Sequence, residues 1–73
     1  KKFKLYTTHH NGCEYKIEED LPVVGWYVYR FDENGINTHD HIQDDLERAI
    51  ECAEDEFGVP KENWKIKDYT LKD

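Results

Sequence analysis

Residues 44–60 constrain the fold more than any other stretch of the chain. Leu46, Ala49, Ile50, Ala53 and Phe57 recur at helical spacing and, with Ile42 just ahead, form one apolar stripe, so the pattern predicts a helix over 44–57. Both ends carry stop signals. Asp44 and Glu47, three positions apart, resemble a capping box with carboxylates at the positive end of the helix dipole. After Phe57, Gly58 can take the left-handed conformation that closes a helix, Val59 can fold back on the last turn, and Pro60 cannot continue it. A single helix with one apolar side needs a second layer, and the rest of the chain must supply it.

The other segments read as strands. Trp26-Tyr27-Val28-Tyr29-Arg30-Phe31 is rich in aromatic and β-branched residues, Asp32-Glu33-Asn34-Gly35 reads as a turn, and residues 36–41 return. Asn34-Gly35 is expected to supply positive backbone angles there. Asn11-Gly12 marks a second turn between strands over 3–8 and 13–17, and residues 18–22 read as a connecting loop. Trp64-Lys65-Ile66-Lys67 alternates apolar and basic residues as a half-buried strand does, whereas 68–73 is expected to fray, with Tyr69 and Leu71 able to dock. The order implies an α+β fold: an antiparallel sheet of four or five strands packed on a single amphipathic helix in two layers, one small domain over 1–73. Alternation sends Tyr27, Tyr29 and Phe31 to the side opposite Trp26, Val28 and Arg30. One helix covers one side, so the rings on the other are either partly exposed or covered by a partner.

Size and charge narrow the function. A domain of 73 residues buries only about 60% of the surface its unfolded chain exposes, which leaves little material for the walls of a deep catalytic cleft. Binding is therefore favoured over catalysis, and no cofactor is called for: four scattered glycines match neither nucleotide fingerprint. No apolar run approaches the roughly 18 residues of a membrane helix, and Lys1-Lys2-Phe3-Lys4-Leu5 lacks a signal-peptide core, which points to a cytoplasmic protein. Cys13 and Cys52 belong to no CxxC or zinc spacing and are expected as two reduced thiols.

The charge is concentrated. Residues 40–56 hold eight carboxylates against Arg48 alone and so carry the whole excess of seven negative charges, because the nine acids and nine bases elsewhere cancel. On a helical wheel Asp44, Glu47, Glu51, Glu54 and Asp55 lie opposite the apolar stripe, and Arg48 is spaced to relieve Asp44 and Glu51. A solvated face that keeps a small protein dispersed is the plain reading. The sharper reading is a docking surface for a basic protein, joined by Tyr27 and Tyr29 on the sheet, since tyrosine combines apolar area with a polar handle. The same charge disfavours direct nucleic-acid binding and anionic membranes.

Two other uses of the residues compete with it. His39 and His41, two apart in a strand, can point to one side and share a metal ion, with His9 or His10 adding a ligand if the hairpins adjoin, which would make a metal-binding accessory domain. Spacing fixes no third ligand, however. Alternatively the exposed sheet face closes a homodimer. Cys13 beside His10 is the one candidate nucleophile–base pair, and nothing local other than His10 across the turn can stabilise its thiolate.

Leu46, Ala49, Ala53, Phe57-Gly58-Val59 and Trp64, after the Asp32-Glu33-Asn34-Gly35 turn, make the second half of the chain similar to a group of small bacterial proteins. Their shared pattern is an Asp-x-x-Gly-like turn, a Leu-x-x-Ala-x-x-x-Ala-x-x-x-Phe-Gly-Val helix and a following Trp. The group has no assigned function, so the resemblance implies no chemistry. The expectation from the residues themselves is a non-enzymatic interaction module, of the inhibitor or immunity type, whose acidic helix binds a basic protein.

Overall fold

The computed structural model describes residues 2–64 and 67–71. Strands β1 (Lys2–His10), β2 (Cys13–Glu19), β3 (Trp26–Phe31), β4 (Asn37–Gln43) and β5 (Lys67–Leu71) form one antiparallel sheet in the order β4-β3-β2-β1-β5. Helix α1 (Leu46–Phe57) packs on one side of it, against β2, β3 and β4. The first four strands form a meander. The chain leaves it at the β4 edge, crosses the sheet as α1 and a short 3-10 turn at Lys61–Asn63, and enters β5 at the far edge beside β1. This is the expected two-layer α+β fold, with five strands.

The element bounds differ from the sequence expectation at several places: β1 spans Lys2–His10 and not 3–8, β4 spans Asn37–Gln43 and not 36–41, and three differences matter more. Residues 67–71 do not fray: they pair with β1 from Lys2↔Leu71 to Tyr6↔Lys67, while positions 65–66 of the expected strand lie outside the described residues. β2 runs on through Glu18 and Glu19, which pair with Tyr27 and Trp26, so the connection shrinks to the residues between Glu19 and Trp26. At the helix start the cap is Asp45 and not Asp44. Asp45 is extended (φ −148°), and its Oδ1 accepts the Arg48 backbone N–H at 2.8 Å. Because β4 pairs as far as Gln43, Asp44 is used up in turning the chain.

The helix ends as its sequence foretells. Gly58 has φ 73°, its N–H donates to Glu54 O at 2.9 Å, and the Val59 N–H reaches back to Ala53 O at 3.3 Å. Val59 thereby folds under the last turn and is fully buried.

One residue sets the register of the second hairpin. Asp32 Oδ1 accepts the N–H groups of Asn34 (2.8 Å) and Ile36 (3.0 Å), and of the turn residues Gly35 alone has positive φ, contrary to the expectation for Asn34. Phe31 pairs with Asn37 but Arg30 pairs with His39, so Thr38 is an extra residue in β4. The Arg30 carbonyl accepts from Asn37 Nδ2 (3.1 Å) and Thr38 Oγ1 (3.3 Å), and Arg30 Nη1 donates to Thr38 Oγ1 (2.7 Å). Beyond this bulge His39 and His41 lie across from Arg30 and Val28 on the helix side, and Asp40 and Ile42 lie across from Tyr29 and Tyr27 on the other.

The core fills the space between the layers. Tyr6, Cys13, Tyr15, Ile17 and Val28 rise from the sheet, Ala49 and Ala53 come down from the helix, and Val59 and Trp64 close the end. The two alanines are completely buried, and their small size lets the helix backbone sit close on the strands. Leu46, Ile50 and Phe57 flank them half-buried, and the Phe57 ring lies 5.3 Å from that of Tyr15. Burying a side chain such as Ile17 or Val28 contributes about 1.5–3 kcal/mol.

Candidate functional site

The helix surface is built as a slope from apolar to acidic. Leu46 and Ile50 keep part of their surface outside the core and, with Glu47, Glu51 and Lys61, line a groove of about 470 Å³. On the other flank of Glu51 a second depression, of about 270 Å³, is lined by Gln43, Arg48, Cys52, Asp55 and Glu56. Glu47, Glu54 and Asp55 are exposed and Glu51 is half-buried, so four of the five expected site carboxylates do share the solvent side of α1. The fifth, Asp44, lies ahead of the helix at the exit of β4.

Little inside the described residues neutralises this face. Arg48 Nε lies 3.8 Å from Asp45 Oδ2, which is neither of the partners its spacing suggests, because Asp45 is held beside it by the cap. Lys61 Nζ lies 3.8 Å from Glu54 Oε1, and both side chains are about half exposed, so the pair adds little. Glu54, Asp55 and Glu56 stand in the last turn, where the dipole is negative and the turn itself holds no basic residue. That is an unfavourable place for three carboxylates. Beside them Cys52 is a free thiol whose pKa is pushed up, first by burial and then by Glu56.

The opposite sheet face carries an aromatic ladder. The Tyr27 and Tyr29 rings are stacked, 5.6 Å between centroids and 9° between planes, and Phe31 follows at 6.2 Å. Lys16 Nζ sits 5.1 Å from the Phe31 centroid. Tyr27 and Tyr29, with Asp40, His41 and Ile42, line a depression of about 520 Å³ between β3 and β4. Sequence reasoning missed Asp40 here and assigned Ile42 to the apolar stripe of the helix; Ile42 is instead an exposed residue of β4 across from Tyr27, because the strand runs on to Gln43 and turns that side chain away from α1. The signal that finds them is the hairpin register, which the Thr38 bulge shifts by one.

The histidines do share a side, as spacing suggested, but it is the side that packs on the helix. The His39 ring meets the Phe57 ring edge-on at 5.2 Å, His41 lies 6.0 Å from it, and His39 Nδ1 is 2.9 Å from Thr38 Oγ1. His41 Nε2 is buried with no hydrogen-bond partner. His10 is on β1, separated from β4 by two strands and therefore by about 14 Å at ordinary strand spacing. His9 lies on the opposite face, its Nε2 4.0 Å from Glu14 Oε2. No group of three metal-ligating side chains occurs among the described residues.

A further depression, of about 450 Å³, is lined by Asn11, Cys13, Tyr15, Arg30, His39 and the helix end at Glu56 and Phe57. Cys13 is buried, and the His10 ring opposite it faces the Asn11 amide, with Nε2 3.3 Å from Nδ2. The thiol and imidazole proposed as nucleophile and base are neighbours in the ladder without being hydrogen-bonded to each other.

Fold and surfaces together define a small two-layer α+β domain with one acidic helix face and one aromatic sheet face. No helix among the described residues is long and apolar enough to cross a membrane. No protein-family model matches the chain, and no curated protein or solved structure matches it either.

Proposed function

We propose that this domain is a non-enzymatic interaction module that binds a basic protein through the outer face of α1. The observation that carries the reading is the position of Glu47, Glu51, Glu54 and Asp55 on one side of a twelve-residue helix, beside an apolar groove edged by Leu46 and Ile50. Apolar area bordered by an acidic excess that Lys61 and Arg48 offset only in part suits a partner surface that combines aliphatic contacts with lysine or arginine. The like charges at the helix C-terminus oppose folding. Occupation by cations relieves that repulsion on binding and speeds encounter through the long-range field. An inhibitor or immunity-type protein acts in this way, by covering a basic functional surface.

The test is capture from source-cell extract at low and high salt with the wild-type domain and with Glu47, Glu51 and Glu54 all changed to Gln. A partner with a basic surface, retained at low salt, released at high salt and associating at least about tenfold more slowly with the triple variant, is the expected result. Equal association of that partner with wild type and variant refutes the reading.

A further inference from the structure

The sheet face away from the helix has its own chemistry. Tyr27 and Tyr29 stand parallel on β3, and β4 places Ile42 directly across from Tyr27 and Asp40 directly across from Tyr29. The four side chains border one depression of about 520 Å³. The Asp40 side chain is exposed and forms no ion pair among the described residues. At the other end of the same ladder the protein already sets a cation on a ring, Lys16 over Phe31 at 5.1 Å. Lys16 lies directly across from Tyr29 on β2 but turns its ammonium to Phe31, so among the described residues the Tyr27–Tyr29 end has the rings and a carboxylate with no cation set over them.

We propose that the depression between β3 and β4 seats an arginine side chain from a basic protein partner, its guanidinium against the tyrosine rings and paired with Asp40. A guanidinium is planar, is weakly hydrated and bonds a carboxylate with two parallel N–H groups, so it can use a ring face and Asp40 together; an ammonium is a point charge. The methyl groups of Ile42 give the aliphatic stem a wall. The surrounding field has the right sign: the Tyr29 phenol pKa is pushed up, by burial first and then by Glu18, Tyr27, Asp40 and Asp20. That field also decides against nucleic acid. Stacked bases would bring phosphates against Asp40.

The inference extends the basic-partner reading to the face opposite the helix, and the two fail separately. The experiment is a residue-resolved NMR titration of the whole 73-residue chain with a short peptide of alternating arginine and glycine, repeated with citrulline and with lysine in place of arginine. The arginine peptide is expected to shift β3 and β4 amide signals around Tyr27, Tyr29 and Asp40. Citrulline, with the same shape and no charge, binds roughly tenfold more weakly, and lysine falls between. Asp40→Asn and Tyr29→Leu each weaken arginine binding by about threefold to tenfold, while Tyr29→Phe and the Glu47, Glu51 and Glu54 to Gln variant leave it unchanged. Equal binding of arginine and citrulline, or an unaltered Asp40→Asn, overturns the site. Shifts confined to α1 that vanish in the triple variant overturn it too, while leaving the helix reading intact. A concentration-dependent dimer that removes the shifts assigns the face to self-association and likewise overturns the proposal.

Discussion

Gly25, just ahead of β3, is where a single added methyl tests the packing most severely. Its φ is +108°, and a Cβ built on it would lie 2.3 Å from the carbonyl oxygen of Gln43, 3.3 Å from that carbonyl carbon and 3.7 Å from the Asp44 Cα. All three are backbone atoms at the point where β4 ends and the chain turns into the Asp45 cap. They cannot swing away as a side-chain tip can. Gly25→Ala therefore combines a backbone conformation disfavoured for alanine, about 1–2 kcal/mol, with overpacking against a fixed neighbour, about 1–3 kcal/mol. Gly58→Ala is the internal control, because Gly58 also has positive φ (+73°) but a Cβ there meets nothing within 4 Å. It should cost about 1–2 kcal/mol, the conformational part alone. For a chain of this length total stability is about 4–11 kcal/mol, so the first change removes a large share and the second a smaller one. Urea unfolding followed by the fluorescence of Trp26 and Trp64 measures both. Equal losses for the two variants would refute the reasoning, since they would mean that the Gln43 carbonyl gives way freely and that β4 is not pinned against the start of β3.

Two further outcomes follow from local geometry. Asp45→Ala is expected to cost about 1 kcal/mol in the same unfolding assay, and Asp44→Ala close to nothing, because the cap hydrogen bond to Arg48 comes from Asp45; a larger loss at Asp44 would return the cap to that residue. Cys52 bears on pH: burial, then Glu56, raise its thiol pKa above the ordinary 9.0, so the folded state holds that proton more tightly than the unfolded chain. Its contribution is complete below about pH 9 and is lost as pH rises through the folded-state value, so Cys52→Ala should show a shallower alkaline loss of stability than wild type. Identical alkaline slopes would show that the thiol is not perturbed.

The local instructions were legible in the sequence. The capped amphipathic helix, its Gly58-Val59-Pro60 ending, the Asn11-Gly12 turn, where both residues have positive φ, and the alternation of β3 each depend on residues a few positions apart. Periodicity and turn chemistry report such interactions directly. The acidic stripe was legible for the same reason, since charges on one helix share a face by geometry alone. Its cap was misplaced by one residue because Asp44 and Asp45 are equally good caps until the end of β4 settles which is extended.

What the chain alone left open was everything that depends on partners far apart in sequence. Residues 67–71 become a strand because the helix carries the chain across the sheet to the free edge of β1, a destination that no local pattern encodes. The second case turns on Thr38. Counting back from the Asp32 turn without a bulge pairs Tyr29 with His39, which would place the histidines among the tyrosines and Asp40 under the helix. The extra residue shifts the ladder by one, and side chains alternate with period two, so every β4 residue beyond it changes face. The sequence determined which elements form. Long-range pairing decided which of their side chains meet, because a single inserted residue costs little locally yet inverts a whole strand.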